Sequence, residues 1–263
     1  MWQTFFFQPL LNALIFFYQF LGQNLGIAII GLTLFIRGAL TPLTLPSLKS
    51  AQKLRSLQPE LEKLKAKHGK DKQVFAQKQL EFYKKHGVNP ASGCLPQIIQ
   101  IIILIALYQA FNQVLKSNGN PVEALNQLLY EPLKLSSDFV LNTKFFYLDL
   151  SQPDVFNFPA FKIGPFTLSK LPGFFLVAAA ITQFLSSKLM MPAAKATEAK
   201  SEKTKEQSDD MAAAMQKQML YMTPLMTLFI GFSFPSGLVV YWFTFSLFML
   251  SQQLFMKKYG KKD

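Results

Sequence analysis

An all-α membrane protein with five crossings is the fold class this sequence predicts, and three observations carry the prediction. Half of the 263 residues are apolar and only 16% are charged, against about a quarter charged in an ordinary soluble domain. The apolar residues gather in uncharged runs close to the roughly 20 residues a helix needs to cross a 30 Å hydrocarbon core. Basic residues fall mostly on one side of those runs, the asymmetry that orients helices in a bilayer. The 27 Lys+Arg against 15 Asp+Glu give a formal net charge of +12, which suits an anionic membrane surface or nucleic acid. Their placement in loops beside apolar runs selects the membrane, with no sequence-specific nucleic acid implied.

Residues 1–36 contain no charged residue, so neither a basic secretory n-region nor an Arg-rich transit peptide is present, and the chain is expected to start as the mature protein. Within residues 1–23, Gln8, Asn12, Gln19 and Gln23 share a narrow arc of one helix face at 100° per residue. A helix with a single polar stripe is expected to lie in the membrane interface rather than to span. The crossings follow at 24–46, broken only by Arg37, then at 95–115, at 171–187 between Lys170 and Lys188, and at 218–234 and 237–256, where Pro235-Ser236-Gly237 divides an uncharged run too long for one helix. Segments 47–89, 188–217 and 257–263 hold 11, 6 and 4 basic residues, against 5 in 116–170. Positive-inside then places the amino terminus outside and the carboxyl terminus in the cytoplasm, as an odd number of crossings requires.

Residues 47–88 read as a cytoplasmic hairpin of two helices turning at His68-Gly69-Lys70-Asp71, with Leu54, Leu57, Leu61 and Leu64 as the seam of the first. It is a solvated prop or a docking arm; both readings fit its charge. The linker 188–217 contains a stretch, 193–210, of small and charged residues without an aromatic, which predicts flexibility, and 257–263 is a short basic tail. Segment 116–170 is expected to be irregular, with one short helix near 121–133 and no chemistry.

Signals for catalysis are absent. No GxGxxG, P-loop, HExxH, GxSxG or CxxC occurs, the single Cys94 excludes an intrachain disulfide and a multi-cysteine metal site, and His68 and His86 sit beside glycines at helix ends, where a cation is ordinary. The spans hold no Asp or Glu, which removes the usual ion site of a transporter. No enzyme, cofactor or metal is expected. Arg37 is the outlier: nine residues before Pro46, it lies about 13 Å inside that end of the helix. It snorkels, or it faces a water-filled cavity open to the cytoplasm. Thr41, Gln97, Gln100, Gln183 and Ser246 are the residues able to line such a cavity. With no carboxylate in any span, the worth of Arg37 is expected to lie in its positive charge, so lysine should substitute for it. Met211, Met215, Met219, Met222 and Met226 form a helical stripe that either packs or accepts varied apolar clients at the cytoplasmic mouth.

The segment from Gly26 through the hairpin to Phe111, with its GVNP-x-x-GCLP run, and the PSGL-x-x-YW run beginning at Pro235 resemble the YidC family of membrane protein insertases. The resemblance implies a five-helix core with a hydrophilic groove open to cytoplasm and lipid and closed to the outside. It also implies that Arg37 is the groove arginine, that Tyr241, Trp242 and Phe245 belong to an aromatic substrate path, and that a third-span polar residue, Gln183 or Ser186 or Ser187, reaches the groove. It further implies newly made membrane proteins as clients, a plasma-membrane location, and the ribosome and the Sec translocon as candidate partners. No large external domain, present in some members, is expected from these residues. The rival readings are a channel or transporter for a small anionic solute, disfavoured by the lack of an internal repeat, and a passive assembly scaffold.

Overall fold

The computed structural model describes residues 1–69, 71–89, 95–115, 121–163, 166–190 and 220–259. A π-helical turn at Gln3–Phe7 leads into α1 (Gln8–Phe20). Gly22 and Gln23 then adopt positive φ of 80° and 55°, and this left-handed turn folds α1 back on α2 (Leu25–Ser56). Gly31 permits the close approach, since a Cβ there would collide with Leu21 and crowd Phe17.

The polar stripe of α1 has partners within the chain. Asn12 is buried; its Nδ2 donates to the Leu128 carbonyl at 3.0 Å and its Oδ1 accepts from the Tyr130 amide at 2.7 Å. Gln8 also donates to the Leu128 carbonyl, and Gln19 reaches that of Leu133. Gln8, Asn12 and Gln19 of the stripe thus bond an irregular backbone segment of the same chain. Phe16 and Phe20 form the exposed side.

Helix α2 runs through Pro42 and Pro46 to Ser56, ten residues past the expected end of the first span. Each proline removes one amide donor, leaving the Gly38 and Pro42 carbonyls without their i+4 partner. Nearby hydroxyls add bonds of their own: Thr41 donates to the Arg37 carbonyl at 2.7 Å and Thr44 to that of Leu40 at 3.0 Å. The separate hairpin is consequently shorter than predicted, α3 (Gln58–His68) and α4 (Lys72–Lys85). Asp71 caps α4 by accepting from the Gln73 and Val74 amides, and His86 approaches Glu60 across the pair at 3.7 Å.

Helix α5 (Leu95–Leu115) has the bounds expected of the second span. The segment beyond it corrects the all-α expectation. After α6 (Pro121–Asn126) and a 3-10 turn at Glu131–Leu133 come β1 (Lys144–Phe145) paired with β2 (Leu148–Asp149), and β3 (Val155–Ile163) paired with β4 (Phe166–Pro172), both antiparallel. Residues 155–172 hold four Phe together with Val155, Ile163 and Thr167, residue types that suit a pleated surface, around a Gly-Pro dipeptide that signals a turn. Strand β4 takes Leu171 and Pro172 from the expected third span, so α7 starts at Phe174 and ends at Met190.

Two further apolar helices follow, α8 (Leu220–Gly231) and α9 (Ser236–Tyr259). By length and composition, Leu25–Leu54 and Ser236–Lys258 suffice to cross a membrane, while α5, α7 and α8 are the shorter apolar helices at the other predicted positions. Helix α9 packs along both α7 and α2, whereas α5 meets α2 and α9 through a narrow seam. The main core joins Tyr18, Ile29, Leu32, Leu107, Phe111, Leu176 and Leu238, and a smaller one joins Leu11 and Ile15 to Val122, Leu125 and Leu129. The bundle thus has a loop end, carrying residues 121–172, and a hairpin end, carrying α3 and α4.

Candidate functional site

Three helices converge on one charged side chain at the α2–α5–α9 seam. Arg37 is 5% exposed, Gln100 7% and Tyr241 1%. One guanidinium nitrogen of Arg37 donates to Gln100 Oε1, and the Gln100 Nε2 donates to the Tyr241 hydroxyl at 2.8 Å. The guanidinium carbon lies 3.9 Å from the centroid of the Phe245 ring. Tyr241 and Phe245 are one turn apart on α9, which puts both rings on the face turned toward Arg37. Among the described residues no carboxylate pairs with Arg37, so its positive charge is held by neutral groups, the Gln100 amide, the Tyr241 hydroxyl and the Phe245 ring. Such contacts offset part of the desolvation cost of a buried cation without neutralising it.

Thr41, one turn along α2, donates to the Arg37 carbonyl and accepts from Gln252 Nε2 at 3.5 Å. Gln252 was not singled out by sequence, although it lies eleven residues from Tyr241, about three helical turns along the same face. Its neighbour Gln253 is buried, with Oε1 lacking a partner among the described residues.

The other predicted site residues are more dispersed. Gln183 accepts from the Thr227 hydroxyl of α8 at 2.6 Å. Ser246 is buried in α9. Trp242 points to Phe234, which in turn meets Tyr108, a different direction from Tyr241. Met222 is exposed on α8. Met215, Met219 and the side chain of Gln97 lie outside the described residues. The guanidinium is enclosed in this structure.

A second polar centre, unanticipated from sequence, organises the loop end. Asp154 is 1% exposed; it accepts from the Tyr147 hydroxyl and from the Leu176 amide at the start of α7, both at 2.8 Å. A Cβ on Gly173 would land on this carboxylate, so the approach depends on glycine. Burial beside Asp154 pushes the Tyr147 hydroxyl up to about 12. Burial alone would raise the Asp149 carboxyl, but donors from Lys144, Ser151 and Thr143 outweigh it and hold the group below the ordinary carboxylate range. The backbone beside Asp149 receives α9: Ser236 donates its hydroxyl to the Asp149 carbonyl at 2.9 Å and its amide to that of Gln152 at 2.7 Å.

Residues 16–263 match the family model described as 60Kd inner membrane protein. The chain belongs to this family, the YidC family. Among its relatives, the membrane protein insertase YidC of Fusobacterium nucleatum subsp. nucleatum is 35% identical over 237 residues, 90% of this chain and 88% of that protein. Membrane protein insertase YidC 2 of Bacillus anthracis is 32% identical over 260 residues, 97% of this chain and 81% of its own length. The YidC of Nitratidesulfovibrio vulgaris is also 32% identical, over 252 residues, but the match covers only 38% of that longer protein. As a YidC family member this is a multi-pass membrane protein.

Proposed function

We propose that this protein is a membrane protein insertase that carries short hydrophilic segments of client proteins past the lipid core and releases their apolar helices into the bilayer. The observation that carries the reading is the unneutralised Arg37 charge at the narrow α5 seam, held by Gln100 and Phe245. A resting bundle gains nothing from an arginine in that place, because an apolar side chain of similar volume would avoid the desolvation cost. An incoming acidic or polar segment does gain from it. Parting α5 from the α2–α9 pair would admit water and the segment to a groove lined by Arg37, Thr41, Gln97, Gln100, Gln183 and Ser246. Tyr241, Trp242 and Phe245 would offer the client helix an aromatic path, and its own burial in lipid drives release without a nucleotide.

In this reading residues 24–256 form the insertase core and the loop end faces outside, leaving the amino terminus outside and the hairpin, the 188–217 linker and the 257–263 tail in the cytoplasm. Residues 1–23 lie in the outer interface. Supporting this, Trp2 bonds Gln109, nine residues along α5 from Gln100, and Leu21 meets Gly31, six residues along α2 from Arg37, so the two ends of the segment sit at similar depth. Met215, Met219 and Met222 would meet clients at the cytoplasmic mouth. The ribosome and Sec translocon are the partners expected there.

The test is reconstitution of the purified chain in liposomes with a single-span client bearing an acidic leading segment. Insertion above that of protein-free vesicles, measured by protease protection, is the expected result. Insertion no better than in protein-free vesicles would overturn the proposal.

A further inference from the structure

The loop end carries an aromatic surface that the insertase reading does not use. Phe146 is 84% exposed and Phe156 54%, and Leu171 and Phe174 are exposed beside them. Phe146 also holds a φ of 52°, a left-handed conformation that favours glycine or asparagine and is a rarity for a bulky side chain. Only Phe146 and Tyr147 lie between β1 and β2, a two-residue turn whose first position takes positive φ, and the turn leaves the Phe146 ring exposed at its tip.

The strand register sorts this surface by polarity. Phe156 pairs with Leu171, and the next pair, Asn157 with Lys170, falls on the opposite face of the hairpin because side chains alternate along a strand. At these two neighbouring pairs the hairpin shows an apolar couple on one face and a polar couple on the other. The apolar face is joined to the bundle by ring contacts, Phe156 with Tyr147 at 5.7 Å and Tyr147 with Phe175 at 6.1 Å.

Continuity identifies the occupant. Phe174, Val177, Ile181 and Leu185 are exposed along α7 at spacings of 3, 4 and 4, a single stripe that in a multi-pass membrane protein meets lipid. The stripe begins where the Phe156–Leu171 pair ends. Helix α7 has 17 residues, about 26 Å of rise and short of the roughly 30 Å hydrocarbon thickness, so its Phe174 end lies near the interface. The hairpin cannot go deeper, since open strand edges are not tolerated in hydrocarbon. Aromatic side chains are the ones that favour the intervening zone.

We propose that the β3–β4 hairpin and the Phe146 turn are a membrane-surface anchor: Phe146, Phe156 and Leu171 insert at the headgroup–acyl boundary of the loop-side leaflet, while Asn157 and Lys170 face water. The anchor fixes the loop end of α7 against the lipid. Nitroxide labels on single cysteines, placed in a Cys94→Ser background, test it in phosphatidylethanolamine–phosphatidylglycerol vesicles. Labels at Phe156→Cys and Leu171→Cys should show an oxygen-to-nickel-chelate collision ratio severalfold above those at Asn157→Cys and Lys170→Cys. Equal ratios at all four positions would overturn the anchor, as would labels at 156 and 171 shielded from both reagents, the signature of a protein partner. Circular dichroism of each variant identifies any that misfold, and Phe146→Cys supplies an independent position on the same surface.

Discussion

At the scale of single residues, Arg37 and Asp149 are both charged, and their surroundings treat that charge in opposite ways. Around Arg37 every contact is neutral, so the charge stays available. Gln100→Glu would place a carboxylate on the guanidinium and quench it, and insertion of an acidic client is expected to fall severalfold, close to the level of Arg37→Ala, with the bundle intact by circular dichroism. Arg37→Lys keeps the charge but not the planar stack on Phe245, so it should retain most activity on the same client. A fully active Gln100→Glu protein would show that charge is not what the site supplies. Asp149 is instead surrounded by donors that hold its carboxyl low. A depressed folded-state value means that its contribution is present above the ordinary carboxylate value and is lost as pH falls through the folded one. Thermal unfolding in detergent should therefore show Asp149→Asn destabilised by about 1 kcal/mol at pH 7, with the gap to the parent closing in the acid range below pH 4. A gap that widened on acidification would reverse the assignment.

At the scale of elements, the apolar helices are legible because hydropathy is a local signal, and α5 lies within the uncharged run that ends before Lys116. Partnership was less legible. Gln100 was recognisable as polar in a span, but its pairing with Arg37 joins residues 63 apart in sequence, and no spacing rule reaches that far. The start of α7 was misplaced because Leu171 and Pro172 look alike in a membrane helix and in an interfacial strand. The stripe on α1 was seen correctly as a stripe, yet a pattern cannot say whether water, headgroup or backbone will satisfy it. Asn12 decides this, and Asn12→Ala should leave the Tyr130 amide unpaired at a cost of about 1–3 kcal/mol. Hydrogen exchange is expected to rise together in residues 8–20 and 126–135, whereas Gln19→Ala, whose bond is exposed and long at 3.5 Å, should change neither. The hairpin is a separable element once α2 is seen to run to Ser56. Replacing residues 58–85 by a short flexible link should therefore reduce ribosome-coupled insertion more than post-translational insertion, and equal losses would leave it no recruiting role.

At the scale of the whole molecule, the two ends of the bundle are fastened unequally. The loop end is clasped: Asp154 holds the first turn of α7, the 149–152 backbone holds Ser236, and the Gly237 amide donates to the Leu150 carbonyl at 3.1 Å, so α7 and α9 begin from one hydrogen-bonded knot. Toward the hairpin end, α2 and α9 are linked by the long Thr41–Gln252 contact, and Pro42 and Pro46 have removed two amide donors from α2, which lowers the cost of bending it there. A bundle fastened in this way should open like a hinge whose pin is the clasp, admitting a client from one side only. A transporter would instead alternate, loosening each end in turn. Spin-label pairs in a Cys94→Ser background distinguish the two. The hairpin-end pair Leu43→Cys with Ile98→Cys, both exposed, should lengthen or broaden in distance when a client is added in nanodiscs, while the pair Ile27→Cys with Ile105→Cys nearer the loop end stays fixed. Movement of the second pair by as much as the first would exclude a one-sided hinge and return alternating access to consideration, whereas a hairpin-end change that persists when Asp154→Asn loosens the clasp would show that the prolines alone set the hinge.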